Sequence, residues 1–246
     1  MKDLEPAASP LPDLSVVIPV RDEEASLGQL YAELESALGG AGIAFELIFV
    51  DDGSGDDSLM VLRGLEGSDG RVRVIALAER SGQSAALAAG FAVVRAPITA
   101  TLDADLQNDP ADLPGMLGHL DHADVVNGVR VARQDDFVRR WSSGIANGVR
   151  NAVTGEDVTD VGCSLRVMRT EILQRVELGP GMHRFLPTLM RLEGARITEI
   201  PVSHRPRLHG TSKYGISNRL FVGLADLWRV YRKTRVGTPS DKRRRS

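Results

Sequence analysis

Leu14-Ser15-Val16-Val17-Ile18-Pro19-Val20, followed at once by Arg21-Asp22-Glu23-Glu24, decides the fold class of this 246-residue chain. An apolar run of that length, closed by a proline-containing turn, reads as a strand buried on both faces. From about Glu23 the period changes: Leu27, Leu30, Tyr31, Leu34 and Leu38 recur at helical spacing, and Gly39-Gly40 ends the run. The two segments make one βα unit. The alternation repeats with a strand at 45–50, a helix around 57–65, a strand at 72–77, a helix over 82–94 and a strand near 98–102. Such alternation predicts an α/β fold on a mainly parallel sheet with right-handed crossovers. Ligands of these sheets bind beyond the carboxyl ends of the strands. That rule selects the loops 21–23, 51–54, 79–82 and 103–107 before any chemistry is considered.

Downstream, Asp109-Pro110 opens a helix, with proline at the first helical position, and a short strand follows at 125–129. Residues 130–159 are rich in Arg, Asn, Ser and Gly and read as helices or loops wrapped over the site. A strand near 164–168, helices near 170–174 and 185–192, and a strand near 196–203 complete the core. The ends read differently. Residues 1–13, with Pro6, Pro10 and Pro12, predict a disordered leader, and the main domain is assigned to 14–215. An amphipathic helix is expected at 216–235 and a basic tail at 236–246.

With 42% hydrophobic and 26% charged residues the chain is of the globular class, large enough for one sizeable domain. A net charge of -3 argues against nucleic acid as a partner, because non-specific binding needs a basic surface to displace counterions. Arg and Lys nonetheless dominate from Arg205 to Lys242-Arg243-Arg244-Arg245, so an anionic surface should meet this end. A single cysteine, Cys163, and the lack of a signal-peptide pattern point to a cytoplasmic protein. No run of about 18 apolar residues occurs, so any membrane contact is expected to be peripheral.

The sharpest local signal is Thr101-Leu102-Asp103-Ala104-Asp105-Leu106-Gln107, a strand running into two carboxylates one residue apart. Hard divalent cations take oxygen ligands, and Mg²⁺ commonly holds one or two carboxylates together with substrate phosphate oxygens. A second acidic turn, Val50-Asp51-Asp52-Gly53-Ser54, follows another buried strand, and a carboxylate there can accept from the N–H groups of a nucleobase. Neither G-x-G-x-x-G after the first strand nor G-x-x-x-x-G-K-[ST] is present, which disfavours dinucleotide and P-loop nucleotide binding.

Taken in order, residues 15–24, Phe49-Val-Asp-Asp-Gly-Ser54, Ser81-Gly-Gln-Ser-Ala-Ala-Leu-Ala-Ala-Gly90 and Leu102-Asp-Ala-Asp-Leu-Gln107 resemble family 2 glycosyltransferases of the GT-A fold. Asp160-Val-Gly-Cys-Ser-Leu-Arg166, His183-Arg-Phe-Leu-Pro187 and Arg205-Pro-Arg-Leu-His-Gly-Thr-Ser-Lys-Tyr214 resemble the branch of dolichyl-phosphate mannose synthases and undecaprenyl-phosphate sugar transferases. The resemblance implies that Pro19, Glu23 and Asp51 or Asp52 contact the nucleotide. It implies that Asp103 and Asp105 hold Mg²⁺ or Mn²⁺ with Gln107 nearby. Arg130 and Arg140 would serve the acceptor phosphate, and Arg207, Ser212 and Lys213 would act on the diphosphate or the acceptor phosphate. Arg21-Asp22 and Arg80 depart from the family pattern at positions bearing on nucleotide and sugar contacts.

The function so implied is inverting transfer of a sugar from a UDP- or GDP-linked donor to a polyprenyl phosphate at the cytoplasmic face of the membrane. A phosphate nucleophile is already ionised, so none of His119, His122, His183, His204 or His209 is required as a base, although His183 could line the acceptor entrance. The helix at 216–235 sets Leu220, Phe221, Leu224, Leu227, Trp228 and Tyr231 beside Arg219, Arg229 and Arg232, which suits a membrane interface. Packing on its own domain, a membrane-protein partner or a second copy is the alternative use of that face. A saccharide hydroxyl as acceptor, and a non-catalytic nucleotide-sugar binder, are the two rival functions.

Overall fold

The computed structural model describes residues 11–130 and 158–206. Seven strands form one sheet in the order β3-β2-β1-β4-β6-β5-β7. β1 (Leu14–Val20) lies between β2 (Phe45–Asp51) and β4 (Ile98–Thr101), parallel to both, and β3 (Val72–Ala76) runs parallel on the outer side of β2. β6 (Arg166–Arg169) is antiparallel to β4 and to β5 (Val125–Arg130), while β7 (Ile197–Val202) is parallel to β5. Six strands therefore share one direction and β6 alone opposes them. The mostly parallel sheet expected from the alternating pattern is present.

The period of two along β1 divides the core. Leu14, Val16, Ile18 and Val20 face α1 (Glu24–Gly40), α2 (Ser58–Ser68) and α4 (Leu113–Gly118). Val17, with Ile48 and Val50, faces α3 (Gln83–Phe91), α5 (Thr170–Leu173) and α6 (Leu186–Leu192). Both faces are covered, so β1 and β2 read as continuous apolar runs. In α1 the side chain at the N-cap position, Glu23, makes no capping hydrogen bond. A lost cap costs about 1 kcal/mol, whereas each fully buried leucine contributes about 2 kcal/mol. Leu27, Leu30, Leu34 and Leu38 are all fully buried, so packing fixes this helix.

Three boundaries differ from the periodicity. α3 stops at Phe91, because Val93 turns its N–H to the Gly90 carbonyl and leaves the helical ladder. The segment opened by Asp109 begins with a 3₁₀ turn, Pro110–Asp112, capped by the Asp109 side chain on the Ala111 N–H. A further 3₁₀ turn, Met182–Phe185, precedes α6. The helix expected at 216–235 lies outside the described residues.

Candidate active site

The loops after β1 and β2 are tied to each other by backbone and side chain together. Asp22 adopts a left-handed conformation (φ 49°). Its N–H donates to Ser54 Oγ (2.9 Å), and its Oδ1 accepts from the Gly55 N–H (2.7 Å). The Glu23 N–H donates to Ser58 Oγ (2.8 Å), and Arg21 Nη1 donates to the Asp52 carbonyl (2.7 Å). Arg21-Asp22, the departure from the family pattern, is thus built into the loop framework. Pro19 is half-buried at the end of β1, in register with Val50.

The two neighbouring aspartates divide their work. Asp52 Oδ1 accepts from the backbone N–H groups of Ser81 (2.6 Å) and Gly82 (2.9 Å), which fastens the third loop to the second. At Gly53 (φ 63°) a Cβ would lie 3.1 Å from the Arg80 nitrogen, so glycine is required for this approach. Asp51 is 2% exposed; its Oδ2 accepts from the Ser54 N–H (3.2 Å), and its Oδ1 is buried with no hydrogen-bond partner among the described residues. A buried acceptor left unpaired costs about 1–3 kcal/mol, more when charged. Such an atom is a place where a ligand's N–H can be accommodated.

Beyond β4 the chain makes a second fixed loop. Asp103 Oδ1 accepts from Gln83 Nε2 (2.7 Å), and the Ala104 carbonyl accepts from Ser26 Oγ (2.7 Å). Asp105 Oδ1 accepts from the Gln107 N–H (3.2 Å). Leu106 takes a left-handed conformation (φ 61°), which costs a non-glycine residue about 1–2 kcal/mol. Complete burial of its side chain offsets that strain. The Gln107 carbonyl accepts from the Arg205 N–H (2.8 Å), while the Arg205 guanidinium pairs with Glu33 (2.7 Å) and Asp109 (2.6 Å). No group of three or more His, Cys, Asp and Glu side chains among the described residues could hold a metal. Asp103 and Asp105 offer two hard oxygen donors on one rigid loop, with the Gln107 amide beside them. That set fits Mg²⁺ or Mn²⁺ when substrate oxygens and water complete the shell.

The opposite half of the edge carries cations. Arg130 grips Asp160 with Nε (2.7 Å) and Nη2 (2.8 Å), a bidentate pair that fixes the guanidinium plane. Arg166 is 4% exposed and donates to Asn127 Oδ1 (2.9 Å) and to the carbonyls of Val161 (2.9 Å) and His183 (3.2 Å). Burial lowers its pKa, with the opposing attraction of Cys163, Asp103 and Asp160. An arginine so lowered is still a cation at neutral pH. Ser84 Oγ stands 2.9 Å from His183 Nδ1 and accepts from the His183 N–H (3.2 Å). Burial, then the positive charges of Arg184 and Arg166, push the His183 pKa down to about 3. The imidazole is neutral at physiological pH.

The model of Glycosyl transferase family 2 matches residues 15–177, through all four of these loops. The chain belongs to glycosyltransferase family 2. It is 40% identical over 224 residues to the dodecaprenyl-phosphate galacturonate synthase of Rhizobium johnstonii, covering 89% of this chain and 66% of that one. It is 38% identical over 205 residues to the undecaprenyl-phosphate 4-deoxy-4-formamido-L-arabinose transferase of Edwardsiella ictaluri, covering 82% and 63%. The chain spans just under two thirds of the length of these two relatives. Among solved structures, glucosyl-3-phosphoglycerate synthase from Mycobacterium tuberculosis, in complex with Mn²⁺, UDP and phosphoglyceric acid, superposes with a TM-score of 0.67. It is 20% identical and covers 88% of this chain and 78% of that one. At that identity the likeness establishes the shared fold.

Within the family 2 framework the sheet edge brings together Pro19, Glu23, Asp51, Asp52, Asp103, Asp105, Gln107 and Arg130. Arg140, Arg207, Ser212 and Lys213 lie outside the described residues. Arg166, Gln83, Ser84 and the Asp160 partner of Arg130 lie beside these candidates, and the motifs assigned them no role. The stretch 160–166 carried a signal, but the rule that looks at the carboxyl ends of strands passes over Arg166. β6 is antiparallel, and so its first residue, paired with Thr101 and Asn127, is the one that lies at the site edge.

Proposed function

We propose that this chain transfers a sugar from a UDP- or GDP-linked donor to a polyprenyl phosphate, as a peripheral enzyme on the cytoplasmic face of the membrane. The observation that carries the donor half is the single sheet edge on which a buried Asp51 oxygen, unpartnered among the described residues, and the Asp103/Asp105 pair both sit. The acceptor half is supported by the two curated relatives, both named for sugar transfer to polyprenyl phosphates. No helix among the described residues is long and apolar enough to cross a membrane.

In this reading Asp51 Oδ1 accepts an N–H of the base, while Asp52 keeps the 79–82 loop against the 51–54 loop. Asp103 and Asp105 hold the divalent cation, which when bound neutralises charge on the departing diphosphate. The acceptor is a phosphate monoester whose second pKa is about 6, so it attacks as an anion without a general base. Two anions must then meet, and fixed cations are what the chain has to supply. Arg130, its plane set by Asp160, contacts the acceptor phosphate together with Arg140, while Arg207, Ser212 and Lys213 act on the diphosphate or the acceptor phosphate. Arginine suits that task because its planar fork can bind two phosphate oxygens.

The test is a screen of the purified chain with Mg²⁺ or Mn²⁺. UDP-glucose, UDP-GlcNAc, UDP-galacturonate and GDP-mannose are each offered with and without undecaprenyl phosphate, and organic-phase products are read by mass spectrometry. A lipid-linked sugar from one donor, abolished by Asp105→Asn, is the expected result. Near-normal turnover by Asp105→Asn would remove the metal assignment, and donor hydrolysis without any lipid product would transfer the reading to a saccharide acceptor.

A further inference from the structure

We propose that Ser84 fixes His183 in the Nε2–H tautomer, so that the imidazole offers one neutral N–H donor to an oxygen of the transferred sugar. The proposal rests on the reading that this edge binds a nucleotide-sugar. It starts from the hydrogen-bond inventory of Ser84, which is 4% exposed. Ser84 Oγ accepts from the His183 backbone N–H (3.2 Å), and its single proton is available to Nδ1, 2.9 Å away. An Nδ1 that accepts forces the proton of a neutral ring onto Nε2. Burial beside Arg184 and Arg166 keeps the ring neutral, with a pKa of about 3. His183 is partly exposed, and its Nε2 is not among the buried polar atoms that lack a partner.

Position assigns the ligand group. Ser84 follows Gln83, whose amide binds Asp103, so the pair sits beside the metal loop. On its other side the His183 carbonyl accepts from Arg166, in the half of the edge that holds Arg130. The transferred sugar must lie between the diphosphate at the metal loop and the acceptor phosphate near Arg130. Phosphates are served by the arginines already present. A neutral donor suits a sugar hydroxyl, and two contacts on the same serine remove the freedom of the ring to swap tautomers.

The test uses the full chain in two arms. The imidazole ¹⁵N spectrum of the labelled protein near pH 7 should show His183 in the Nε2–H pattern, and Ser84→Ala should mix the tautomers. A pure Nδ1–H pattern in the wild type overturns the proposal. With the donor that turns over in the screen, His183→Phe should lose about tenfold in kcat/KM, the worth of one neutral hydrogen bond. Binding of the matching nucleoside diphosphate, which lacks the transferred sugar, should stay unchanged, and His183→Gln should restore part of the loss. Parallel loss of nucleoside diphosphate binding, or an unchanged kcat/KM in His183→Phe, overturns the sugar contact. A wild type inactive with every donor counts against the parent reading, while the spectrum still decides the tautomer.

Discussion

Asp51 and Asp52 are adjacent, chemically identical and both almost fully buried, yet their surroundings give them different tasks. Asp52 spends its carboxylate on two backbone N–H groups of the third loop, so its loss should loosen that loop whatever ligand is present. Asp51 has one oxygen without a partner among the described residues, a costly arrangement that a ligand's N–H would relieve in the proposed function. We expect Asp51→Asn to leave the thermal midpoint unchanged or raised, because a neutral amide is less costly to bury. The same variant should weaken binding of the nucleoside diphosphate by about 1.5–3 kcal/mol, the range for hydrogen bonds to a charged group. Calorimetric titration beside a melting curve checks both; loss of stability with affinity intact would make Asp51 structural.

At the scale of elements, α3 is the piece that both covers the sheet and furnishes the site. Its first residues, Gln83 and Ser84, reach Asp103 and His183, and this reach depends on how closely the helix approaches β1. Gly90 sets the approach: a Cβ there would fall on the Val17 Cγ1 methyl and 3.2 Å from Val50 Cγ2. Alanine ordinarily stabilises a helix interior by about 1 kcal/mol over glycine. At Gly90 the overlap should reverse the sign, with a cost of about 1–3 kcal/mol from overpacking. Gly28 in α1, where nothing lies within 4 Å of the added carbon, is the control and should gain stability as alanine. Urea midpoints of Gly90→Ala and Gly28→Ala should move in opposite directions; a shared direction would mean that α3 yields freely.

Across the whole molecule, polar burial is concentrated at the two ends of the strands, with opposite consequences. At the end away from the site Glu46 is 1% exposed and accepts from Ser15 Oγ (2.6 Å), the Arg95 N–H (2.9 Å) and Arg95 Nε (2.8 Å). Burial alone would raise its pKa, but these bonds from Ser15 and Arg95 prevail and hold it below 4.5. A carboxylate lowered by folding contributes stability above its unfolded pKa and loses it as pH falls through the folded value. Glu46→Gln should therefore cost about 2 kcal/mol near pH 7, and the gap to wild type should close below about pH 4.5. Denaturant unfolding at several pH values measures it, and a gap independent of pH would show that packing, not charge, is what Glu46 provides. The chain's linear order was enough to establish the α/β class, the apolar strands, the loops 51–54 and 103–107 and the family, because those signals are local: periodicity, turn chemistry and carboxylate spacing. Tertiary structure decided which of Asp51 and Asp52 has an oxygen unpartnered among the described residues, that Arg130 comes bound to Asp160, and that Ser84 meets His183. It also decided that Arg166 lies at the edge of the candidate site, since one antiparallel strand turns its starting end to the edge where the other strands finish. Each of these depends on contacts between residues 29 to 99 positions apart or on strand direction, and neither is written in the spacing of neighbours along the chain.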